Sequence, residues 1–326
     1  MSTNTSITAL LGIKHPILLA PMDLVSGARL TAAVSDAGGL GILGGGYGER
    51  GWLEQEIAKL AQATTPFGVG FITWSLAKQP DLLDIALKAR PRAIMLSFGD
   101  PMPFASRIKA AGALLICQVQ DEQLAQQALD AGADILVAQG TEAGGHGASR
   151  STLEVVPAIV DLVAGRVPVA AAGGIGDGRG LAAMMMFGAA GILLGTRFYA
   201  SQEADGAEEA KKRICAAKGG STTRGLIFDI SRDQVWPLPF TGRCLINDHA
   251  RRWAGRELEL LQDKTAIAEY MAARAARNFD IAAVIAGEAV GLIHDIPKAA
   301  EIVDRIVNEA DHILRGQRNS SMALRA

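Results

Sequence analysis

The sequence lacks the features that identify disulfide-rich, metal-stabilised, membrane and secreted proteins. Its 326 residues include only three cysteines, Cys117, Cys215 and Cys244, which are too far apart to form a C-x-x-C pair. We therefore expect neither a disulfide framework nor a structural metal site. No apolar run is long enough to cross a membrane, and the first residues lack the basic start and apolar core of a signal peptide. These absences predict a cytoplasmic protein.

The charge balance excludes another class. The chain has 32 basic and 34 acidic residues, for a net charge of −2, and its short basic runs at 211–213 and 251–252 have acidic neighbours. Nucleic-acid-binding surfaces need a clustered surplus of Lys and Arg. We therefore expect small-molecule partners rather than nucleic acid or a membrane. The oligomeric state stays open, with a homodimer as one option.

What the chain does have is a series of short apolar segments, each followed by a turn and a helical pattern. Hydrophobic residues make up 49% of the sequence, and these segments are nearly continuous in apolar residues rather than alternating. Such strands are buried on both faces, as in a parallel sheet. The pattern predicts a (β/α)8 TIM barrel. The eight segments are 16–21, 40–43, 67–72, 93–98, 114–119, 134–138, 167–172 and 191–195.

The pattern changes after about residue 200, which divides the chain into three predicted parts. Residues 1–205 form the barrel. Residues 206–279 form a small, mainly helical, lid-like subdomain, with an irregular stretch at 228–247 where prolines disfavour a helix interior. Residues 280–326 supply helices that pack back on the barrel.

Three local patterns add detail. Asp121 is a predicted N-cap for the helix that follows it, and Ser151 with Glu154 forms a predicted capping box. The methionine run at 184–186 lies between two barrel strands, so we interpret it as core filler.

Two glycine turns follow the last two predicted strands, at Gly173 and Gly174 and at Gly195. One turn, one helix and one strand separate them, so both open on the same end of the sheet. Paired turns of this kind form the phosphate site common in such barrels. Gly174 and Gly176 begin like a G-x-G-x-x-G dinucleotide fingerprint, but the next glycine is Gly180, so the spacing does not match. The pattern therefore favours binding of a mononucleotide phosphate over a dinucleotide.

His146 is the candidate catalytic residue, in the segment 139–147 that closes the sixth strand with a glycine-rich turn. Barrel enzymes place their active sites on such loops, and an imidazole titrates near neutral pH. The alternative is a structural histidine in an ordinary turn. A second glycine-rich loop, at 44–48, lacks the Lys of a nucleotide-phosphate loop and is predicted to cover the barrel mouth.

Together these motifs resemble the nitronate monooxygenase (2-nitropropane dioxygenase) family. The resemblance spans about residues 10–200 and depends on the joint order of several short motifs. These are Ala-Pro-Met at 20–22, Ala-Gly-Gly-Leu-Gly at 37–41, Pro-Phe-Gly-Val at 66–69, the segment 139–146, Ala-Gly-Gly-Ile at 172–175 and Gly-Thr-Arg-Phe at 195–198.

The resemblance implies an FMN-dependent barrel enzyme that oxidises alkyl nitronates, or nitroalkanes, with molecular oxygen to a carbonyl compound and nitrite. His146 matches the family's active-site histidine. It would act as a base toward a neutral nitroalkane or hold the anionic nitronate as a hydrogen-bond donor. The resemblance places the flavin on Pro21, Met22, Asp23, Gly70, Gln118, Gly144, Gly145, Ala171, Gly173, Gly174, Gly195 and Thr196.

The sequence departs from family members at two of these positions. Some carry asparagine where Gly70 falls and lysine where Gln118 falls, which changes the expected hydrogen bonding to the flavin ring. One nitronate-oxidising subgroup also has several pocket tyrosines, whereas this chain has only Tyr47, Tyr199 and Tyr270.

Other functions on the same barrel stay open. The nearest is an NAD(P)H-dependent flavin reductase, of the quinone reductase or enoyl-acyl-carrier-protein reductase type. It would need a second pocket, which we expect from the loop 44–47 and the region 236–243. An IMP-dehydrogenase-like enzyme needs a nucleophilic cysteine on a loop, whereas Cys117 falls within a predicted strand. A non-catalytic flavin-binding protein would not need His146.

Overall fold

A computed structural model describes residues 4–316 of the chain. Most of its strands are short and fully buried, as the continuous apolar segments predict. In chain order the strands are β1 (Ile17–Leu19), β2 (Gly41–Gly44), β3 (Phe67–Ile72), β4 (Ala93–Ser97), β5 (Leu114–Val119), β6 (Ile135–Gln139), β7 (Gly145–Gly147), β8 (Val169–Ala172), β9 (Gly191–Leu194), β10 (Thr222–Gly225) and β11 (Thr241–Leu245).

Eight of these strands form a parallel barrel in the order β1-β9-β8-β6-β5-β4-β3-β2. A parallel bridge between Leu18 and Leu40 brings the two end strands together. Side chains such as Ile42, Met95 and Val137 fill the barrel interior, and a larger apolar layer lies between strands and helices. The predicted TIM barrel is confirmed, and each predicted strand segment overlaps an observed strand, with β2 and β6 each ending one residue later than predicted.

The helices follow the strands as the repeat predicts. In chain order they are α1 (Ser6–Leu11), α2 (Ala28–Asp36), α3 (Arg50–Leu60), α4 (Thr73–Leu76), α5 (Leu82–Lys88), α6 (Met102–Ala110), α7 (Glu122–Asp130), α8 (Thr152–Val163), α9 (Gly178–Met186), α10 (Thr196–Tyr199), α11 (Glu208–Ala216), α12 (Ile227–Ser231), α13 (Asp248–Trp253), α14 (Glu257–Gln262), α15 (Lys264–Ala275), a 3-10 turn at Glu288–Leu292, and α16 (Ala299–Leu314). Residues 4–316 contain no helix long and apolar enough to span a membrane.

Residues 206–279 contain helices α11 to α15, as the prediction of a mainly helical subdomain requires. They also contain strands β10 and β11, which the sequence does not predict. These strands form an antiparallel sheet with β7 in the order β10-β11-β7. Strand β10 reads Thr-Thr-Arg-Gly and β11 reads Thr-Gly-Arg-Cys-Leu, without the alternation that identifies a half-buried strand. After this sheet the chain returns to the barrel, where α16 packs against α9 and α2.

Two of the three local predictions need correction. Asp121 caps α7 by accepting a hydrogen bond from Leu124 N, as predicted. Ser151 makes no such bond at the start of α8; instead Glu142, from the β6–β7 loop, accepts from Thr152 N at 2.8 Å. In the methionine run, Met184 is buried but Met186 is 74% exposed, because it lies on the outer face of α9.

Candidate functional site

A cavity of about 400 Å³ lies at the carboxyl ends of the barrel strands, within the size range of small-molecule sites. Its walls come from the barrel loops, the small antiparallel sheet and the end of α15. The structure brings twelve of the thirteen predicted site residues to its lining. They are Pro21, Met22, Asp23, Gly70, Gln118, Gly144, Gly145, His146, Gly173, Gly174, Gly195 and Thr196.

Ala171 is the exception, because the structure does not place its side chain at the cavity, where the sequence predicts it. Successive side chains of a strand point to opposite faces. In β8, Ala170 and Ala172 belong to the barrel interior, and Ala172 lines the cavity. Ala171 packs in the layer between strands and helices, where it is fully buried. Its side chain therefore faces away from the site.

The turn after β8 needs its glycines. Gly173 and Gly174 have φ angles of 112° and 70°, a region that side-chain-bearing residues rarely adopt. A Cβ on Gly173 would also meet Thr152 Oγ1 at 2.7 Å. The turn is thus held close to the start of α8 and leaves its surface toward the cavity free of side chains.

The turn after β9 is more open. A Cβ on Gly195 would meet only Ala20 Cβ at 3.5 Å and Met22 Sδ at 3.6 Å, which are ordinary contacts. Next to it, Thr196 Oγ1 accepts a hydrogen bond from Gly287 N at 2.9 Å. Backbone and small side chains therefore form this end of the cavity, as the phosphate-site prediction requires.

Gly70 has a specific steric role in the cavity floor. A Cβ there would lie 2.4 Å from Pro21 Cβ, closer than real atoms approach. An asparagine at this position would require Pro21 to move. The glycine is therefore coupled to the local packing of the β1 loop.

Asp23 carries a buried polar atom that suits a bound cofactor. Its Oδ1 atom is buried and has no hydrogen-bond partner within residues 4–316. Burial, assisted by nearby Glu49, raises the pKa of Asp23 to about 6, while Arg232 and Arg274 oppose the shift. A flavin ring edge carries hydrogen-bonding atoms that could satisfy this group. The open turn, the glycine floor and this atom together fit a flavin.

His146 lies in β7, where its side chain is only 6% exposed. Its Nε2 atom is 2.9 Å from Asp229 Oδ2, and the other oxygen of Asp229 accepts from Arg232 at 2.6 Å. Both partners come from α12 and its C-terminal end, and both side chains are less than a tenth exposed. His146, Asp229 and Arg232 thus form a buried hydrogen-bonded network on one side of the cavity.

This arrangement determines which nitrogen of His146 is available. Because the Asp229 carboxylate can only accept from the ring, Nε2 carries a proton in the neutral imidazole. Within residues 4–316, Nδ1 has no hydrogen-bond partner, and it is then the unprotonated atom. Burial lowers the pKa of His146, with Asp229 opposing this effect and Arg232 and Arg224 adding to it. The geometry thus favours a neutral imidazole with a free lone pair.

An aromatic cluster covers the other face of His146. The indole of Trp236 stacks on the imidazole with ring centroids 3.4 Å apart and planes 5° apart. Trp74 and Phe98 contact Trp236 edge to face, and Trp236 Nε1 donates to the Tyr47 hydroxyl at 3.2 Å. These residues pack together between the 44–48 loop and the 236–243 region, and Tyr47 and Trp236 also line the cavity.

The backbone around His146 is fixed by side chains that the sequence does not reveal. Arg224 of β10 donates to the carbonyls of Thr141 and Ala143, each at 2.9 Å, and to that of Gly147 at 3.2 Å. Burial lowers the pKa of Arg224 to about 10. Gln139 adds a bond from Nε2 to the His146 carbonyl at 3.0 Å. The loop is therefore rigidly held.

The sequence predicts His146 as a site residue but does not predict Asp229, Arg232 or Trp236. One signal is present: Asp229 and Arg232 are three residues apart, a spacing at which charged side chains meet on a helix. The segment that contains them shows no apolar period, so no helix was predicted there. Only the pairing of β11 with β7 brings them to His146.

Comparison with known proteins identifies the family of the chain. A family model described as nitronate monooxygenase matches residues 4–90 and 73–309. Nitronate monooxygenase of Pseudomonas aeruginosa is 32% identical, over 93% of this chain and 98% of its own length. The (3aS,4S,5R,7aS)-5-hydroxy-7a-methyl-1-oxo-octahydro-1H-indene-4-carboxyl-CoA dehydrogenase of Mycobacterium tuberculosis is 30% identical, with 95% of this chain and 97% of that protein covered.

Solved structures give the same result. FabK from Thermotoga maritima superimposes with a TM-score of 0.84 at 31% identity, covering 97% of this chain and 98% of that one. Nitroalkane oxidase from Streptomyces ansochromogenes gives 0.80 at 25% identity, covering 96% and 100%. The protein is thus a flavin-dependent oxidoreductase. Its chain belongs to the nitronate monooxygenase family.

Proposed function

We propose that the protein binds FMN and oxidises alkyl nitronates, or nitroalkanes, with molecular oxygen to a carbonyl compound and nitrite. The observation that carries this proposal is the His146–Asp229 pair in a cavity whose opposite end is made of glycine turns. The family membership of the chain supports the reaction class. FMN is proposed because the turns suit one terminal phosphate and no dinucleotide fingerprint is present.

The cofactor would lie along the glycine-lined side of the cavity. Gly173, Gly174, Gly195 and Thr196 would hold the phosphate, and Gly144 and Gly145 would lie along the ring. Asp23 and Gln118, which also line the cavity, would hydrogen-bond the ring. When bound, the flavin accepts electrons from the substrate and passes them to oxygen, which is chemistry that side chains do not supply.

His146 would take up the proton that a neutral nitroalkane must lose. A base needs a free lone pair at the working pH, and the hydrogen bond to Asp229 leaves Nδ1 in that state. The lowered pKa keeps the imidazole neutral at neutral pH. A nitronate has already lost this proton, so it needs His146 only for positioning.

The aromatic cluster would exclude water from this side of the site. Trp236 and Phe240 are buried, and together with Phe98 they form a continuous edge-to-face array behind His146. A dry wall strengthens the electrostatic interactions of the His146–Asp229 pair. The ring stack also restricts rotation of the imidazole.

A second candidate is an NAD(P)H-dependent flavin reductase or a related dehydrogenase. It is favoured by the likeness to FabK and to the M. tuberculosis dehydrogenase, which match this chain at similar identity to the nitronate monooxygenases. The two candidates differ in the electron donor, so the donor is what an experiment must identify.

The test is an anaerobic mixing experiment with the flavin-loaded protein. A primary nitronate is added in one cell, the neutral nitroalkane in a second, and NADH or NADPH in two others. We expect rapid flavin bleaching with nitronate, slower bleaching with nitroalkane, and product nitrite once oxygen is admitted. Bleaching by NADPH or NADH alone would instead support the reductase, and no bleaching in any cell would contradict both.

A further inference from the structure

Two arginines at the cavity mouth make no hydrogen bond or ion pair through their side chains within residues 4–316, although Arg274 acts electrostatically on Asp23. Arg274 lies in the last turn of α15, and Arg277 follows two residues after the helix ends. Both are exposed and both line the cavity. Four or more guanidinium N–H donors at each position therefore face solvent or the cavity.

The helix and the turn after it direct both arginines to the cavity. Tyr270 is buried, lines the same cavity, and accepts a hydrogen bond from Ala283 N at 3.3 Å. Arg274 lies four residues further along α15 and therefore on the same side of the helix as this anchored tyrosine. Arg277 lines the cavity from the turn that follows the helix, where its backbone is left-handed at φ 54°.

A comparison with other arginines shows that this is unusual in the molecule. Exposed arginines such as Arg50, Arg256 and Arg305 lie against carboxylates. Within residues 4–316, one more arginine, Arg90, also has no hydrogen-bond or ion-pair partner. It lies between α5 and β4, at the opposite end of the barrel from the cavity. Compensation of the α15 dipole would account for Arg274 near the helix end, but it does not require that both arginines share the cavity side.

We propose that Arg274 and Arg277 form a binding site for the phosphate groups of a nucleotide-type co-substrate or thioester substrate, whose reacting end enters the cavity beside His146. Two guanidinium groups without a carboxylate partner match a phosphate dianion or a pyrophosphate in charge and in donor geometry. The site goes beyond nitronate oxidation, because an alkyl nitronate carries no phosphate group.

The same chemistry has two sources, a nicotinamide dinucleotide phosphate and a coenzyme A thioester. Both carry a phosphorylated adenosine diphosphate at the end remote from the reacting group. The site at Arg274 and Arg277 would serve either.

The experiment measures equilibrium binding of NADPH, coenzyme A and inorganic pyrophosphate to the flavin-loaded protein by calorimetry. The variants are Arg274→Gln, Arg277→Gln and the double variant. Arg90→Gln is a matched control, because Arg90 is also exposed and unpaired and shares with Arg277 a left-handed backbone, at φ 52° and 54°.

We expect each single substitution to weaken binding of the phosphate-bearing probe roughly three- to tenfold, and the double variant more, with Arg90→Gln unchanged. Raising the ionic strength should weaken binding to the unmodified protein more than to the double variant. Flavin content should stay the same in all variants. Tighter binding of NADPH than of coenzyme A, together with flavin bleaching, would identify a nicotinamide co-substrate, and the reverse order without bleaching would identify a thioester.

Three results would overturn the proposal. One is absence of binding by all three probes. The second is equal weakening in Arg90→Gln, which would indicate a general charge effect. The third is loss of flavin from the double variant, which would mean that the arginines hold the cofactor itself. Nitronate oxidation is measured in parallel. Its presence or absence tests the proposed function and not the phosphate-binding site.

Discussion

The two sides of the cavity are built in different ways. The turn wall, formed by Gly173, Gly174, Gly195 and Thr196, is mostly backbone and comes from loops directly after β8 and β9. The histidine wall, formed by His146, Asp229, Arg232 and Trp236, is made of side chains from segments about 80 to 90 residues apart in sequence. The first depends on local chain conformation and the second on long-range strand pairing.

The difference extends to energetics. The turn wall contains no buried charge, so its substitutions act mainly through sterics and the charge they introduce. In the histidine wall, Asp229 and Arg232 are buried ions that stabilise each other. Removing one partner leaves the other uncompensated, which is costly. Substitutions there therefore affect both chemistry and folding, and each test needs a control for folding.

The largest effect on activity is expected in the turn wall from Gly195→Asp, because loss of the flavin removes turnover of every substrate. A Cβ fits at Gly195, so the substitution adds a carboxylate without a clash. A carboxylate about 4 Å from a bound phosphate costs roughly 1 to 4 kcal/mol, and we expect most of the flavin to be lost. Flavin released on denaturation is the measurement, and FMN should be the species recovered from the unmodified protein.

Gly195→Ala is the matched control, since it adds the Cβ alone and should keep its flavin. Full flavin occupancy in Gly195→Asp would contradict the phosphate assignment. Gly174→Asp should behave similarly, but it is a less clean test because Gly174 has a φ of 70° and a Cβ there would approach Glu142 at 3.2 Å. Recovery of FAD from the unmodified protein would exclude FMN.

The next effect concerns His146→Asn in the histidine wall. If His146 is the base, turnover of a neutral nitroalkane should fall by roughly two to four orders of magnitude. The nitronate, already deprotonated, should be affected less. Initial rates with both substrates are the measurement, with flavin content and melting temperature as controls.

Equal losses for nitroalkane and nitronate would leave His146 only a binding role. Loss of flavin or a lower melting temperature as the main effect would indicate a structural role. Unchanged rates with nitroalkane, nitronate and NAD(P)H would exclude catalysis by this residue.

The same contrast explains what could be predicted from the sequence. The barrel strands and the glycine turns are local features, since apolar runs and residues free to adopt positive φ are visible in a single stretch of chain. His146 was identified because it lies in such a turn. The backbone-lined side of the cavity was therefore largely predictable.

The partners of His146 were not predictable for a physical reason. Strands β10 and β11 are stabilised by pairing with β7 and by Arg224 bonds to loop carbonyls, not by an apolar alternation of their own. Trp236 lies in a proline-rich stretch that has no regular structure. Ala171 shows a different limit of local patterns: Ala172 lines the cavity, but the alternation of β8 directs the side chain of Ala171 to the helices.

A smaller effect is expected from Asp229→Asn. An asparagine amide can donate to Nε2, which would move the ring proton to Nδ1 and remove the free lone pair. We expect nitroalkane turnover to fall by roughly two orders of magnitude, the lower end of what a general base contributes. Because Asp229 raises the pKa of His146, its loss should also shift the acidic limb of the pH–rate profile to lower pH.

Asp233→Asn is the matched control for this change. Asp233 is exposed, four residues along from Asp229, and has a φ of 52°, which asparagine tolerates. It should leave both rate and pH profile unchanged. A shift of the acidic limb to higher pH in Asp229→Asn would contradict the assigned effect of this carboxylate.

The smallest effect is expected from Trp236→Leu, which removes the ring stacked on His146. The stack contributes about 0.5 to 1.5 kcal/mol, so nitroalkane turnover should change by roughly two- to tenfold. Removal of the indole also admits water, and because burial is the main cause of the lowered pKa of His146, the pKa should rise. A base with a higher pKa is protonated up to a higher pH, so the acidic limb should shift to higher pH, opposite to Asp229→Asn.

Tyr47→Phe is the control, since it removes only the hydroxyl that accepts from Trp236 Nε1 and keeps the stack. Equal shifts in Trp236→Leu and Tyr47→Phe would show that the hydrogen bond, not the stacked ring, determines the environment of His146. Opposite shifts in Asp229→Asn and Trp236→Leu would show that the carboxylate raises the pKa of the imidazole and the indole lowers it.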